Sequence, residues 1–282
     1  MNTQPFNVIG IGAGFSPNLK ANVYEAARLC VFFNAKLILI HVGDSTTEKQ
    51  DTLIEIVTPF VKDGLVYEFV FKAGDPVDVI LNATQEKAID LLVLGAAQRE
   101  NFFKYYIGSI ARKITRKAKC SILLLIKPSV NRIQCQHIVV NGLEDARTLQ
   151  TLDAAFYVSK KLHASRITIV EEIRQQEVAV NVEDDKSLRE SKIKKEKISR
   201  REDFRVQQMI SEVPDAYKKD ITIKTQAIFG KRGYSIGHYA EVVGADLLVM
   251  NAPSKMSFWD RLFPHDIEHI LTELPTDVLI IQ

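Results

Sequence analysis

The chain is poor in several features that would have narrowed its class at once. It holds three cysteines, Cys30, Cys120 and Cys135, odd in number, far apart and without a CxxC pair. That excludes a disulfide framework and points to a reducing cytoplasm. Charge of one sign is missing too: 37 Lys and Arg stand against 35 Asp and Glu, a balance of +2. Nothing global therefore draws the chain to nucleic acid or to an acidic membrane surface. No window approaches roughly eighteen uninterrupted apolar residues, so no membrane span is expected. The start, "MNTQPFNVIGIG", lacks a basic stretch, an apolar core and a small-residue cleavage site, so no secretion signal is read there. What is present is 46% hydrophobic and 26% charged residues over 282 positions. This is the profile of a soluble globular protein with room for two domains.

The chain is written twice. "KAIDLLVLG" (87–95) and "VGADLLVMN" (243–251) overlay at an offset of 156, which sets Asp90 on Asp246 and Ile122 on Val278. Earlier the best offset is 130: "NAKLILIHV" (34–42) overlays "ASRITIVEE" (164–172), and Leu19 falls on Leu149. The two offsets differ by 26, which places an insertion between the second and third strands of the second copy. Residues 183–205 sit there, with sixteen charged residues of both signs in twenty-three. Helix formers without a clear apolar stripe read as a solvated helical excursion, and the mixed signs speak against a nucleic-acid arm. The domain boundary falls in "KPSVNRIQ" (127–134), giving domains 1–128 and 129–282 with the insertion at about 173–215.

Within the first copy, strands are expected at about 6–12, 36–42, 65–72, 89–94 and 120–126. Helices are expected at 16–34, 47–63, 75–88 and 108–118. Runs such as "LILI", "LLVL" and "ILLLI" are apolar throughout instead of alternating, as in parallel strands covered on both faces. Strand–helix alternation then predicts an α/β class with two doubly wound parallel five-stranded sheets. Ligand sites in such sheets lie outside the carboxyl ends of the strands, where strand order reverses. Gly95 lies at one such end.

Three stretches carry a resemblance: "GFSPNLKANVYEAARLCVFFNAKLILIHV" (14–42), "AGDPVDVILNATQEKAIDLLVLG" (73–95) and "GSIARKITRKAKCSILLL" (108–125). They resemble the universal stress protein family over nearly all of the first half and more faintly over the second, so the chain looks like a tandem member. The resemblance implies strand order 3-2-1-4-5, ATP or AMP binding with magnesium accompanying the nucleotide, a stress or signalling role, and pairing through the fifth strand. Nucleotide-binding members carry G-x2-G-x9-G-[S/T] after the fourth strand and an aspartate after the first. Here Gly95, Gly108 and Ser109 match, followed by Ile110, while Gln98 replaces the middle glycine. Gly14 stands where the adenosine-contacting aspartate belongs, and Val42 matches the position whose backbone faces adenine. In the second copy the motif positions become Asn251, Ser254, Pro264 and His265, and Glu144 falls near the place of the missing acid.

The stretch from Gly95 to Ser109 thus has two readings. A helix start offers free N–H groups and the positive end of a dipole, and glycines let backbone approach a polyphosphate. Ser109 adds a hydroxyl, and Arg99 or Lys104 supplies charge. On the plainer reading, Gly95 only turns the chain and Ser109 only caps a helix.

Other motifs carry less. "GIGAG" (10–14) has Phe15 where a dinucleotide fingerprint needs a small residue. In "GYSIG" (233–237), the offset places Ser235 inside a helix and not at the strand exit a nucleophile elbow needs. "HDIEH" (265–269) puts His265 and His269 one helical turn apart, but only Glu273 and Asp277 follow as further ligands. Asp75 of "GDP" reads as a helix cap. The apolar fifth strands "SILLLI" and "DVLIIQ" would be exposed edges, so they are expected to pair with each other around 120–126 and 276–282. A homodimer stays open. The leading functional expectation is a nucleotide-binding cytoplasmic protein, ahead of a scaffold of the same fold and of a slow ATPase.

Overall fold

The computed structural model describes residues 4–98, 105–178, 183–231, 233–252, 270, 271 and 273–282. By packing, the chain divides into two compact units, Met1–Gln134 with Leu271–Gln282, and Cys135–Ile270. Compactness and sequence repeat are different criteria: the end of the second copy is counted with the first unit.

Unit 1 runs β1 (Val8–Gly12), α1 (Leu19–Phe33), β2 (Lys36–Val42), α2 (Thr47–Val61), β3 (Val66–Lys72), α3 (Pro76–Glu86), β4 (Leu91–Gly95), two short strands β5 (Ala97–Gln98) and β6 (Tyr105–Tyr106), α4 (Ser109–Lys117) and β7 (Ser121–Leu125). The strand order is β3-β2-β1-β4-β7, all parallel. Local chemistry places the helix ends. Asn34 closes α1 in the left-handed region (φ 54°), and the Thr46 hydroxyl accepts from Lys49 N at the start of α2. Asp75 accepts from Val77 N and Asp78 N while Pro76 opens α3. Asp75 is the cap that the sequence suggested.

Unit 2 runs β8 (His137–Asn141), α5 (Thr148–Leu162), β9 (Arg166–Arg174), α6 (Gln175–Val178), α7 (Asp185–Glu212), α8 (Asp215–Lys218), β10 (Thr222–Gly230), α9 (Tyr234–Val242) and β11 (Leu247–Asn251). Its strands lie in the order β10-β9-β8-β11, again parallel. The matched aspartates do the same work in both units. Asp90 Oδ2 accepts from Asn7 N and Val8 N, and Asp246 Oδ2 accepts from Gln136 N and His137 N. Each pins the entry to the first strand of its own sheet.

The charged stretch is α7, a helix of 28 residues that forms most of the crossover between β9 and β10. A reciprocal cap of Asp184 and Ser187 starts it. The stripe that the sequence did not reveal is short: Glu202, Val206 and Ile210 are buried one turn apart, and residues 185–190 and 192–197 are exposed apart from Ser187.

The last strand, β12 (Asp277–Ile281), belongs to unit 1 and pairs antiparallel with β7, Val278 with Leu124, Leu279 with Leu123 and Ile280 with Ile122. Leu279 is the counterpart of Leu123 at the offset of 156, so the pairing is centred on a residue and its own repeat. Asp277 Oδ1 also accepts from Ile126 N (2.8 Å). The apolar edge of β7 is thereby covered, as the sequence led us to expect.

Candidate functional site

A cleft of about 440 Å³ opens at the carboxyl ends of β1 and β4. This is the point where strand order reverses, because β2 and β3 lie on one side of β1 and β4 and β7 on the other. Five sequence-predicted residues line it: Gly14, Val42, Gly95, Gly108 and Ile110. Ser109 does not. It is the exposed first residue of α4, and the cap of that helix is Gly108, with no side-chain cap bond. The backbone of Gln98 lies in β5, paired with Tyr105, so the stretch after Gly95 begins with a small ladder. Arg99, Lys104, Ser254, Pro264, His265 and His269 lie outside the described residues.

The glycines divide by what surrounds them. A Cβ at Gly14 or Gly108 would meet nothing within 4 Å, so packing does not demand glycine there. At Gly95 a Cβ would come within 3.0 Å of both Asn22 Nδ2 and Oδ1, so that glycine makes room for the Asn22 amide. Gly10 has a third reason: its missing Cβ leaves space for Ile89, 2.6 Å away. Packing therefore accounts for one glycine of "GIGAG".

Sequence reasoning missed several polar groups of the cleft. Ser16, Asn18 and Asn22 line it, and Asn22 Oδ1 is buried without a hydrogen-bond partner. Asn18 and Asn22 are one turn apart at the start of α1, a spacing that could have marked them. His41 fixes the loop after β1. Its Nδ1–H donates to Ala13 O (2.9 Å), Ala13 N donates to Ile40 O, and Phe15 meets the ring edge-on at 5.0 Å. Ile40, Ile80, Leu94 and Ile114 form an apolar wall. Among the described residues, no aspartate, glutamate, lysine or arginine lines the cleft. The first-turn amides of α4 at its mouth are the unpaired donors of a helix start, a setting suited to an anion.

The discounted motifs also have places. Ser235 is the second residue of α9, and its Oγ accepts from Lys231 N (3.0 Å). Burial raises the Cys30 thiol far above its ordinary range and the Cys120 thiol to about 11, so both are held as inert core thiols.

A doubly wound parallel sheet with a cleft at its switch point, free of charged side chains among the described residues, defines an α/β fold class. Residues 5–125, somewhat under half of the chain, match the model of the universal stress protein family. A universal stress protein of Synechocystis sp. is 26% identical over 91 residues, covering 32% of this chain and 59% of the relative. Another, of Bacillus subtilis, is 27% identical over 62 residues, covering 22% of this chain and 42% of the relative. The matched stretches thus span less than two thirds of either. Solved structures extend the likeness over the full chain. A functionally unknown protein of Pseudomonas aeruginosa is 14% identical, with 99% of this chain and 93% of that chain covered and a TM-score of 0.72. A universal stress protein of Archaeoglobus fulgidus is 15% identical, with 98% and 96% covered and a TM-score of 0.65. At such identities this likeness shows the fold.

Proposed function

We propose that unit 1 binds an adenine nucleotide, ATP or AMP, in this cleft, and that the protein acts in a cytoplasmic stress response without a committed catalytic step. Residues 129–282 are then a second copy of the family domain whose own site has lost this chemistry.

The observation that carries the reading is the open space at Gly14 and Gly108 beside an uncapped helix start. A glycine kept only for packing would have a neighbour where its Cβ would stand. The cleft, about 440 Å³, lies within the range of roughly 300–1,000 Å³ usual for small-molecule sites. Its apolar wall suits a purine face, and the amides of α4 suit phosphate oxygens. Asn22 Oδ1 is an acceptor waiting for a donor from the ligand. Gly14 offers no carboxylate to the ribose, so the phosphate end carries more of the affinity. No paired carboxylates line the cleft among the described residues, and the one imidazole there, His41, is tied through Nδ1 to Ala13 O.

Titration of ATP, ADP and AMP into the full chain and into Gly108→Val tests this. Saturable binding is expected, weakened at least about tenfold in the variant because the side chain fills the cradle. The new Cβ meets nothing, so the fold should be kept, with the unfolding midpoint lowered only by the poorer helix cap that valine makes. Absence of saturable binding, or equal affinity in the variant, overturns the proposal and leaves a scaffold of the same fold.

A further inference from the structure

We propose that the mouth of unit 2, at the carboxyl ends of β8 and β9, binds a ligand carrying a guanidinium group, with the Glu171 carboxyl as its anchor. Glu171 is 3% exposed, and neither of its oxygens has a hydrogen-bond partner. A buried carboxyl left so incomplete calls for a donor.

The charged neighbours that act on it most, Arg205 and Glu202, are engaged with each other. Glu202 is bridged by Arg201 at 2.6 Å and by Arg205 at 2.8 Å, and Arg205 also donates to Gly142 O. Glu172 accepts from Gly233 N and Ile236 N at the start of α9. Gly142 lets Glu171 come close, for a Cβ there would stand 3.3 Å from Glu171 Cγ.

Two spaces meet at Glu171. One is a pocket of about 40 Å³, lined also by Gly142, Glu144 and Glu177. The other is a groove of about 420 Å³ between α7 and β10, lined by Ser199, Arg200, Asp203 and Thr225. At ~10–15 Å³ per water the small pocket has room for about three, the size of a guanidinium head. The groove accommodates whatever the head is attached to. Two unpartnered oxygens on one carboxyl form the acceptor half of a fork-to-fork pair, which guanidinium completes and an ammonium does not. Among the described residues, no three His, Cys, Asp or Glu are placed to hold a metal ion.

The surrounding charge favours a cation. Facing Glu171 from α7 are Arg200, Arg201, Glu202, Asp203 and Arg205. Glu144 faces it from the loop after β8 and Glu177 from α6, while the adjacent Glu172 turns its carboxylate to the start of α9. Carboxyl groups outnumber arginines. Burial pushes the Glu171 carboxyl up to about 8, against the pull of Arg205. In the empty site that carboxyl holds its proton at neutral pH. A guanidinium ion pairs with the carboxylate, so binding releases the proton and tightens as pH rises toward 8.

The test is calorimetric titration of methylguanidinium chloride, at low millimolar concentration, into the full chain at about pH 6 and about pH 8. Methylammonium and magnesium at matched ionic strength are the comparison ions. Saturable binding is expected, tightening by up to about tenfold per pH unit, with a heat that depends on the buffer because a proton is released. Methylammonium should bind at least about tenfold more weakly, and Glu171→Gln should not bind methylguanidinium. That variant removes a buried acid and keeps its shape, and a circular dichroism spectrum like the wild type's confirms its fold. Undiminished binding by Glu171→Gln, no binding by the wild type at either pH, or equal or tighter binding of methylammonium or magnesium overturns the proposal.

Discussion

Two clefts occupy the same place in two copies of one topology, and their chemistry is opposite. In unit 1 the strand ends present Gly12, Gly14, His41 and Val42, and no formal charge enters the lining from the described side chains. At the offset of 130 the matching positions in unit 2 are Gly142, Glu144, Glu171 and Glu172, and α7 adds Arg201, Glu202 and Arg205. The backbone scaffold fixes where a site can be. Side chains decide its sign, and a helix lengthened to 28 residues decides how much room is left. The cleft of about 440 Å³ contrasts with a pocket of about 40 Å³.

The largest effect that sharpens this contrast is a pH dependence belonging to unit 2. Glu171 has a folded-state value of about 8 against 4.5 for the free side chain. The unfolded chain therefore gives up that proton first as pH rises. The stabilising contribution is full below about pH 4.5 and is lost as pH rises through about 8. The wild type should lose at most about 1.4 kcal/mol per pH unit from this group across that window. Glu171→Gln should remove that slope, as urea unfolding at a series of pH values would show. An unchanged slope would mean that Glu171 is hydrated in solution.

The next effect compares Gly12 and Gly142, which match at the offset of 130. A Cβ at Gly142 would lie 2.9 Å from Ile169 Cγ2 and 3.3 Å from the Val170 carbonyl oxygen, whereas one at Gly12 would meet only Ile80 at 3.7 Å. Gly142→Ala should cost about 1–3 kcal/mol through overpacking, and Gly12→Ala less than about 0.5 kcal/mol. Equal costs would show that the two strand ends do not differ in packing as described.

The smallest effect is at Asn22. Its Oδ1 has no partner within the protein, so Asn22→Ala should leave the fold's hydrogen bonding almost untouched. Loss of one hydrogen bond to a nucleotide, about 0.5–1.5 kcal/mol, should weaken affinity about two- to twelvefold. Unaltered affinity would remove Asn22 from the site.

Much of the frame was legible because it is local or periodic. The buried strands betray themselves by unbroken apolar runs, β2 coinciding with the expected 36–42 and β3 differing from 65–72 by one residue. The aspartates of "AIDLL" and "GADLL" revealed the repeat, and they hold equivalent backbone amides. The site was half legible. Gly14, Gly95 and Gly108 were visible as glycines, but only geometry separates those that open space from Gly95, which makes room for Asn22. Glu171 was not legible at all. "TIVEEI" gives two consecutive acids at a strand end, which reads as solvent exposure, and their burial arises from α7 and α9. Tertiary cover of that kind leaves no periodic trace in the covered segment.

Hydrogen exchange of the full chain with and without saturating ATP compares the two clefts in one measurement. Slower exchange is expected in 12–16, 94–96 and 108–112, with 142–144 and 171–173 unchanged. Protection of the unit 2 segments instead, or none in unit 1, would contradict that expectation.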